Sequence, residues 1–508
     1  MLLPWLILLP FIGGVLCWLS ERFNKWAPRY LALLVMGLTL LLSVLLWLQG
    51  NYSLPNTLAL SQWQAIFFMP WIMPLGINIA LAIDGLSLLM IVLTAIMGIF
   101  SILSSWSENQ PNQGAYHFHL MWILAGVMGI FMAEDLFLFF FFWEMMLIPM
   151  YFLIANWGHK GSEERAHVNA ATKFFIYTQA SGLIMLLAIV ALALIHYQSS
   201  GHWSFAYHDL LNTKMSALTQ YLLMLGFFIA FAVKMPLVPF HGWMADAQEQ
   251  SPTAGSVDIS GIMLKTAAYG LLRFTLPLFP EASIQFTPIA MTLGVISIFY
   301  GAWLAFKQTD IKRLVAYSSL SHMGFVTVAI YAGSGSILAY QGAVLQMIAN
   351  GLSGAALIII SGQLYERTGT RDMRMMGGLW KRIMWLPALS LFFAVATLGM
   401  PGTGNFVGEF MILFGTFGQF KFVTIIMVFG VVFASIYALW MMQQVYYGTA
   451  KSEKALPALN GREMLVLLTL ALLLVVLGFY PQPVLDTSKN VMESLHSLYS
   501  ISFSTLRP

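Results

Sequence analysis

The sequence predicts an all-α polytopic membrane protein with fourteen transmembrane helices, and three observations carry that prediction. Of its 508 residues, 59% are hydrophobic and only 9% are charged. An ordinary soluble domain is about 25% charged. Apolar runs of about 20 residues, the length that crosses a bilayer as a helix, recur along the whole chain. Sixteen of the 24 basic residues fall on one side of those runs and four on the other. This composition excludes a soluble multidomain enzyme, and it excludes disorder, which needs low hydrophobicity and high charge.

The runs lie near 2–20, 30–49, 76–104, 118–133, 136–156, 173–197, 218–240, 254–279, 284–306, 314–332, 337–362, 385–415, 421–447 and 463–480. The first, opening MLLPWLILLP, has no basic flank and reads as a span rather than a cleaved signal. With the N-terminus outside, the inner connections hold sixteen of the 24 bases, among them Lys160, Lys312, Arg313, Lys451 and Lys454. The outer side holds Lys214, Lys421, Lys489 and Arg507, and the other four bases lie in or at the edge of spans. One span more or fewer would scramble this asymmetry, so both termini are expected outside. Nothing fits a soluble domain, and the tail after the last span is short. The single cysteine, Cys17, excludes a disulfide framework and a cysteine-ligated cluster. A net charge of +3 is too small to imply a nucleic-acid partner.

One internal echo stands out. Val233-Lys234-Met235-Pro236 lies in the seventh span and Leu398-Gly399-Met400-Pro401 in the twelfth. Five spans apart, the two segments run in opposite senses, as in an inverted repeat. Proline removes a backbone donor and breaks a helix. Such breaks are tolerated at membrane depth where they line a cavity.

A charge at the bilayer centre costs about 2.5–3.5 kcal/mol, so each buried ionisable group needs a reason. Glu144 lies mid-span in Phe141-Phe142-Trp143-Glu144-Met145-Met146. Lys234 lies two residues before Pro236, where freed carbonyls can hold an ammonium. A Lys set between desolvation and a nearby carboxylate can load and release a proton, and a static Glu–Lys packing pair is the plainer alternative. Lys265 is central in the eighth span. Asp258 precedes it by two turns and could simply cap the helix start. Arg273 follows it toward the outer end, where a snorkelling anchor is the plainer reading. His322, in Ser318-Ser319-Leu320-Ser321-His322, reads as the only histidine deep in a span. Gln346, Asn350 and Ser353 continue a polar thread at i, i+4, i+7. Pro401-Gly402-Thr403-Gly404-Asn405 is followed by Glu409, which suggests a hydrated exit. Lys173 begins the sixth span as an anchor or relay, and His241 lies just past the seventh in an inner loop. Asp84, Glu134 and Asp135 read as interfacial charges. Glu144, Lys234, Lys265, His322 and Glu409 are thus the first candidates for a lateral proton path, with His241, Asp258, Lys173, Asn350 and Arg273 secondary. Metal ligation at His322 is not expected, because no second His or Cys joins it. The chain has no Gly-rich nucleotide loop or bis-His haem pair.

The segments AIDGLSLLM (82–90), FFFFWEMMLIPMYF (139–152), ATKFFIYTQASGL (171–183), FAVKMPLVPFHGWMADAQEQSPTAGSVDISGIMLKTAAYGLLRF (231–274), DIKRLVAYSSLSHMGF (310–325) and LGMPGTGNFVGEFMIL (398–413) closely resemble the antiporter-like subunits of respiratory complex I, in particular their M-type branch, the counterpart of mitochondrial subunit 4. Singly, the motifs are also similar to Mrp-type Na⁺/H⁺ antiporter and membrane-bound hydrogenase subunits. The resemblance implies a single membrane domain of fourteen helices. Helices 1–3 would occupy 1–117, inverted five-helix repeats 118–280 and 281–450, and helix 14 with a short outer tail 451–508; helices 7 and 12 would be broken. It implies a proton-translocating subunit of NADH:quinone oxidoreductase in a bacterial inner membrane, driven by quinone reduction elsewhere. Glu144 and Lys234 would form a modulated pair, Lys265 the central lysine, His322 a relay and Glu409 the terminal acid. No cofactor is expected in this chain; NADH, FMN, iron–sulfur clusters and quinone would belong to partner subunits, beside L-like and N-like neighbours. Two departures stand out. Close relatives carry a titratable histidine where this chain has Asn350, and Ala245 and Gln248 replace the Pro and second His of the HGWLPDAH pattern.

Overall fold

The computed structural model describes residues 2–50, 52, 63–108, 111–159, 165–449 and 456–506, with side chains as far as Tyr499. Lys160, Lys451, Lys454 and Arg507, counted in the charge asymmetry, lie outside the described residues.

Among the described residues, twelve helices are long and apolar enough to cross a membrane. They are α1 (Leu3–Ser20), α2 (Ala27–Gln49), α3 (Gly85–Ser104), α4 (Gln113–Met132), the joined pair α5 (Leu136–Met145) and α6 (Leu147–Trp157), α7 (Ala166–Ser200), α9 (Ala217–Lys234), α14 (Pro280–Lys307), α15 (Ile311–Ala332), α16 (Ile337–Thr368), α19 (Lys421–Tyr446) and α20 (Gly461–Phe479). A one-turn helix, α8 (Tyr207–Leu210), lies between α7 and α9.

The two other expected spans are interrupted. Residues 253–278 form α11 (Thr253–Asp258), α12 (Leu264–Gly270) and α13 (Leu276–Leu278), joined by π-helical turns at Ile259–Met263 and Leu271–Thr275. π-Helical turns are rare and often mark functional sites. Residues 386–417 form α17 (Leu386–Thr397) and α18 (Gly404–Phe417), separated at Met400-Pro401. Both Met-Pro dipeptides therefore fall at breaks. After the first, the chain resumes as a 3₁₀ turn, Phe240–Trp243, and α10 (Met244–Gln250). The stretch expected as an inner loop is thus largely helical, and Trp243, Met244, Ala245, Ala247 and Gln248 are buried.

The chain is not all-α. β1 (Ala65–Ile72) and β2 (Ile77–Ile83) form an antiparallel hairpin with Ala65 opposite Ile83 and a register shift between Pro70 and Ile72. The third span consequently begins at Gly85, not 76. Gly76 supplies the left-handed turn at φ +67°, and the Asp84 carboxylate caps α3 by accepting from Ser87 N at 2.9 Å. The expected short tail is a further helix, α21 (Gln482–Leu506). It buries Val484, Ser488, Met492, Leu495 and Tyr499 on one face and ties distant elements together. Trp47 Nε1 donates to Thr487 Oγ1 at 2.9 Å, and Gln341 Nε2 donates to Leu485 O at 3.3 Å.

The polar helices sit innermost. The apolar window of α16, which carries Gln346, Asn350 and Ser353, is wholly buried, whereas those of α2 and α20 are only 28% buried and present leucines outward. The expected interfacial charges are also inside. Asp135 is fully buried, caps α5 through Phe137 N and Leu138 N, and accepts from Asn78 N at 3.0 Å. Glu134 Oε1 contacts His208 Nδ1 at 2.6 Å. A cap at the membrane edge and an exposed charge look alike in sequence; hydrogen-bonded burial distinguishes them.

Candidate functional site

The break after α9 places Lys234. Pro236, at φ +20°, cannot donate, and neighbouring groups satisfy the surrounding backbone. Trp243 Nε1 donates to Val233 O at 2.8 Å, and Val238 N donates to Ser297 Oγ at 3.0 Å. Lys234 is left buried with no hydrogen bond to Nζ among the described residues. The freed carbonyls expected to hold this ammonium do not reach it. Instead Nζ lies 4.6 Å from the ring centroid of Trp143, a cation–π arrangement. Glu144, the next residue, sits beside the α5–α6 joint with Lys234 and Gln179 as polar neighbours, and its buried Oε1 has no hydrogen-bond partner among the described residues. Gly182 on α7 makes room for it, since a Cβ there would lie 2.2 Å from Oε1. Gly182→Ala is therefore expected to push the carboxylate aside without unfolding the chain. In the relay that the family resemblance implies, a shift of Glu144 by about 1 Å would cost the transfer step up to about 100-fold, read as NADH-driven proton transfer in membrane vesicles.

Lys265 sits between the two π-helical turns. Its Nζ donates to Ser260 O at 2.5 Å, a carbonyl within the first turn, and to Asn350 Oδ1 at 3.0 Å. Asn350, which cannot titrate, is thus a direct acceptor for the lysine. One turn back on the same face, Gln346 Nε2 donates to Glu409 Oε1 at 3.1 Å. His322 Nδ1 approaches the same oxygen at 3.2 Å but off the line of a hydrogen bond, so both ring nitrogens remain without one. Gly399, at φ +75°, abuts the other oxygen; a Cβ there would lie 2.7 Å from Glu409 Oε2. Asn405 Nδ2 donates to Ser353 Oγ at 3.1 Å, and Ser318 Oγ lies 2.9 Å from Tyr437 Oη. The structure thus brings Lys265, Asn350, Gln346, Glu409 and His322 into one buried thread, and Glu144 and Lys234 into a second group.

The secondary candidates separate. Lys173 Nζ donates to Asp246 Oδ2 at 2.7 Å, and Asp246 also accepts from Arg313 Nη1 at 2.7 Å. This network ties α7, α10 and α15 together. His241 is half-buried, edge-on to Tyr300 with ring centroids 5.3 Å apart. Asp258 ends α11 rather than capping its start, and both buried carboxylate oxygens lack a hydrogen-bond partner within bonding geometry among the described residues. Arg273 is not a snorkelling anchor: it makes a close, buried ion pair with Asp84 and lies 4.9 Å from the centroid of the Trp63 ring.

One buried base is not legible as such in the sequence. Lys312, counted as an inner-loop base, is fully buried at the start of α15, with Nζ donating to Ser251 O at 2.8 Å and Ser256 Oγ at 3.2 Å. His159 Nε2 lies 3.5 Å from it, and burial together with the Lys312 and Arg371 charges holds the His159 imidazole down to about 2, so it is neutral at physiological pH. The available signal was that consecutive Lys312 and Arg313 point about 100° apart on a helix, so both need not face water. Gln248, the departure from the HGWLPDAH pattern, is also fully buried, with neither amide atom hydrogen-bonded among the described residues. Nor is His322 the only buried histidine: α4 starts early enough to enclose His117, whose Nδ1 lies 2.8 Å from Gln113 O.

Broken helices flanked by buried acids and lysines define an antiporter-like membrane subunit. The family model described as NADH:quinone oxidoreductase/Mrp antiporter, transmembrane, matches residues 133–435. The chain is 65% identical to NADH-quinone oxidoreductase subunit M of Escherichia coli (strain K12), covering all of both chains, and 36% identical to NADH-ubiquinone oxidoreductase chain 4 of Chondrus crispus over 96% of each. A chain in the structure of respiratory complex I from Thermus thermophilus with bound NADH is similar at 28% identity and a TM-score of 0.86, over 99% of each chain. The chain belongs to the NADH-quinone oxidoreductase subunit M family, with the antiporter-like fold of that family.

Proposed function

We propose that this chain is a proton-translocating membrane-arm subunit of an NADH:quinone oxidoreductase, a translocase subunit driven by quinone reduction in partner subunits. The observation that carries the reading is the buried thread Lys265–Asn350–Gln346–Glu409–His322 beside the Glu144/Lys234 group. Four of the titratable groups, Lys234, Lys265, His322 and Glu409, are buried and Glu144 is half-buried, and several of their polar atoms have no hydrogen-bond partner among the described residues. Buried polar atoms are nearly always hydrogen-bonded. Orphans in a membrane interior suit groups that exchange partners, directly or through water.

In this reading Glu144 holds a proton or a charge according to the state of Lys234. Lys234, on a face of Trp143 rather than in a fixed hydrogen bond, is free to change partner. Lys265 stores the proton at the centre. Asn350 orients its ammonium and passes nothing itself, so the onward path leaves through water toward Glu409 and His322. Asp258, Gln248, Lys312 and His241 line the inner uptake side. The Lys173–Asp246–Arg313 network holds α10 in place, and Arg273 locks the outer end.

The accompanying topology is fourteen crossings, the two interrupted segments added to the twelve long helices. Inverted repeats would occupy 118–280 and 281–450 within one membrane domain, 1–508, with helices 1–3 before them and 451–508 after. The setting is a bacterial inner membrane with both termini periplasmic and L-like and N-like antiporter-like neighbours. NADH, FMN, iron–sulfur clusters and quinone would sit on partner subunits, and this chain would carry no redox group.

The test is reconstitution of the intact complex in sodium-free vesicles. NADH-driven proton transfer at an undiminished proton-to-electron ratio supports the reading. An absolute requirement for Na⁺, with exchange in the absence of NADH, would instead favour an Mrp-type antiporter.

A further inference from the structure

The connection between α16 and α17 carries a feature unused by proton transfer. Its first half is fixed to the inner end of the fold. Met373 N donates to Thr309 O at 2.8 Å, Arg371 Nε pairs with Asp310 Oδ2 at 3.1 Å, and Arg371 Nη1 donates to Glu249 O at 2.5 Å. Its second half is anchored to the end of α19. Gly378 N donates to Tyr447 O at 3.0 Å, and Trp380 stacks on Tyr447 with centroids 5.4 Å apart. On this base an open cavity of about 430 Å³ is lined by Trp380, Lys381, Arg382, Met384, Trp385 and Pro387, among others. Lys381 and Arg382 are among the residues that line it and no carboxylate is, while Arg382 also lines a neighbouring cavity with Glu366. Lys381 makes no ion pair or side-chain hydrogen bond among the described residues. Met384 and Trp385 are 66% and 58% exposed, and Trp385 is held at φ +68°, a conformation uncommon for an aromatic residue.

We infer that this cavity binds the headgroup of an anionic phospholipid, its phosphate between Lys381 and Arg382 and its glycerol and upper acyl region against Trp385 and Met384. The cations supply charge-assisted hydrogen bonds to phosphate oxygens. Tryptophan prefers the headgroup level of a bilayer, and basic pockets at membrane-helix ends recognise anionic lipid headgroups. The apolar rim decides between lipid and free phosphate. A site for a soluble ion gains nothing from exposed Trp385 and Met384, whereas a lipid covers them. The site is independent of the proton-relay reading.

The test uses the intact complex, delipidated in neutral detergent and supplied with phosphatidylglycerol, phosphatidylcholine or inorganic phosphate. In the wild type, phosphatidylglycerol is expected to protect Lys381 from an amine-acylating reagent at least about tenfold, and phosphatidylcholine and millimolar phosphate are not. Lys381→Gln with Arg382→Gln is expected to lose one class of bound anionic lipid by native mass spectrometry, and Lys381→Arg with Arg382→Lys to retain it. Equal protection by both lipids, or by inorganic phosphate alone, would overturn the inference. So would unchanged lipid retention in the Gln variant, or loss of a neighbouring subunit from it with lipid retention unchanged. The protection arm needs no variant, so a failure of the double substitution to assemble leaves the inference testable.

Discussion

Lys234→Arg is expected to stop proton transfer by this subunit even though it keeps the charge. Arginine stays protonated under all physiological conditions, whereas lysine can release a proton when its environment changes. The guanidinium can still stack on Trp143 and face Glu144, 4.6 Å being the present distance from Nζ to the ring centroid. A purely structural pair would therefore tolerate the substitution. Lys234→Met removes both charge and proton and leaves Glu144 without its nearby cation. In inverted membrane vesicles with a pH-sensitive dye, both variants are expected to lower NADH-driven acidification by more than about tenfold, a barrier increase above about 1.4 kcal/mol. NADH oxidation by an artificial acceptor is expected to be unchanged, because this chain holds no group proposed to carry electrons. Wild-type acidification by Lys234→Arg, with loss only in Lys234→Met, would show that the ammonium serves packing alone.

Arg273→Met is expected to cost assembly rather than transfer. The Arg273–Asp84 pair is buried on both sides, and removing one partner of a buried ion pair costs about 3–5 kcal/mol. Methionine keeps much of the apolar stem that packs near Trp63 and Tyr269, so the loss is chiefly electrostatic. The amount of intact complex on a native gel should fall to below about a tenth of wild type, as an energy of this size allows. Adding Asp84→Asn should restore most of it. Asparagine still caps α3 through Ser87 N but leaves no unpaired charge. A double variant no better assembled than Arg273→Met would mean that contacts of the guanidinium other than the ion pair hold the outer end.

Much of the fold is legible because the bilayer imposes length and polarity on each segment. The ends of α19 and α20 follow closely from apolar runs bounded by charges, whereas α7 begins at Ala166 rather than 173 and α16 runs on to Thr368 rather than 362; the two Met-Pro dipeptides mark breaks because proline cannot donate. The hairpin was missed because Ile77–Ile83 is as apolar as the helix that follows, and only its pairing with Ala65–Ile72 distinguishes strand from span. Residues 482–506 were taken for a tail because an amphipathic helix lying on a protein is polar on average. Lys312 was missed because a base at a helix start reads as topological until its burial is seen.

The sequence by itself determined that this is a multi-pass membrane protein, where most helices lie, where two of them break, and that Lys234, Lys265, His322 and Glu409 leave water, but not that Asp84, Asp135, Arg273 and Lys312 do. These follow from local composition and from the cost of charge in hydrocarbon. Only the tertiary structure decided which groups meet. It set Lys234 on Trp143 rather than on freed carbonyls, Lys265 on Asn350, Glu409 between Gln346 and His322, and Arg273 on Asp84. Those pairings join residues as far as 189 positions apart. They depend on helix rotation and close approach, which periodicity along one segment does not encode.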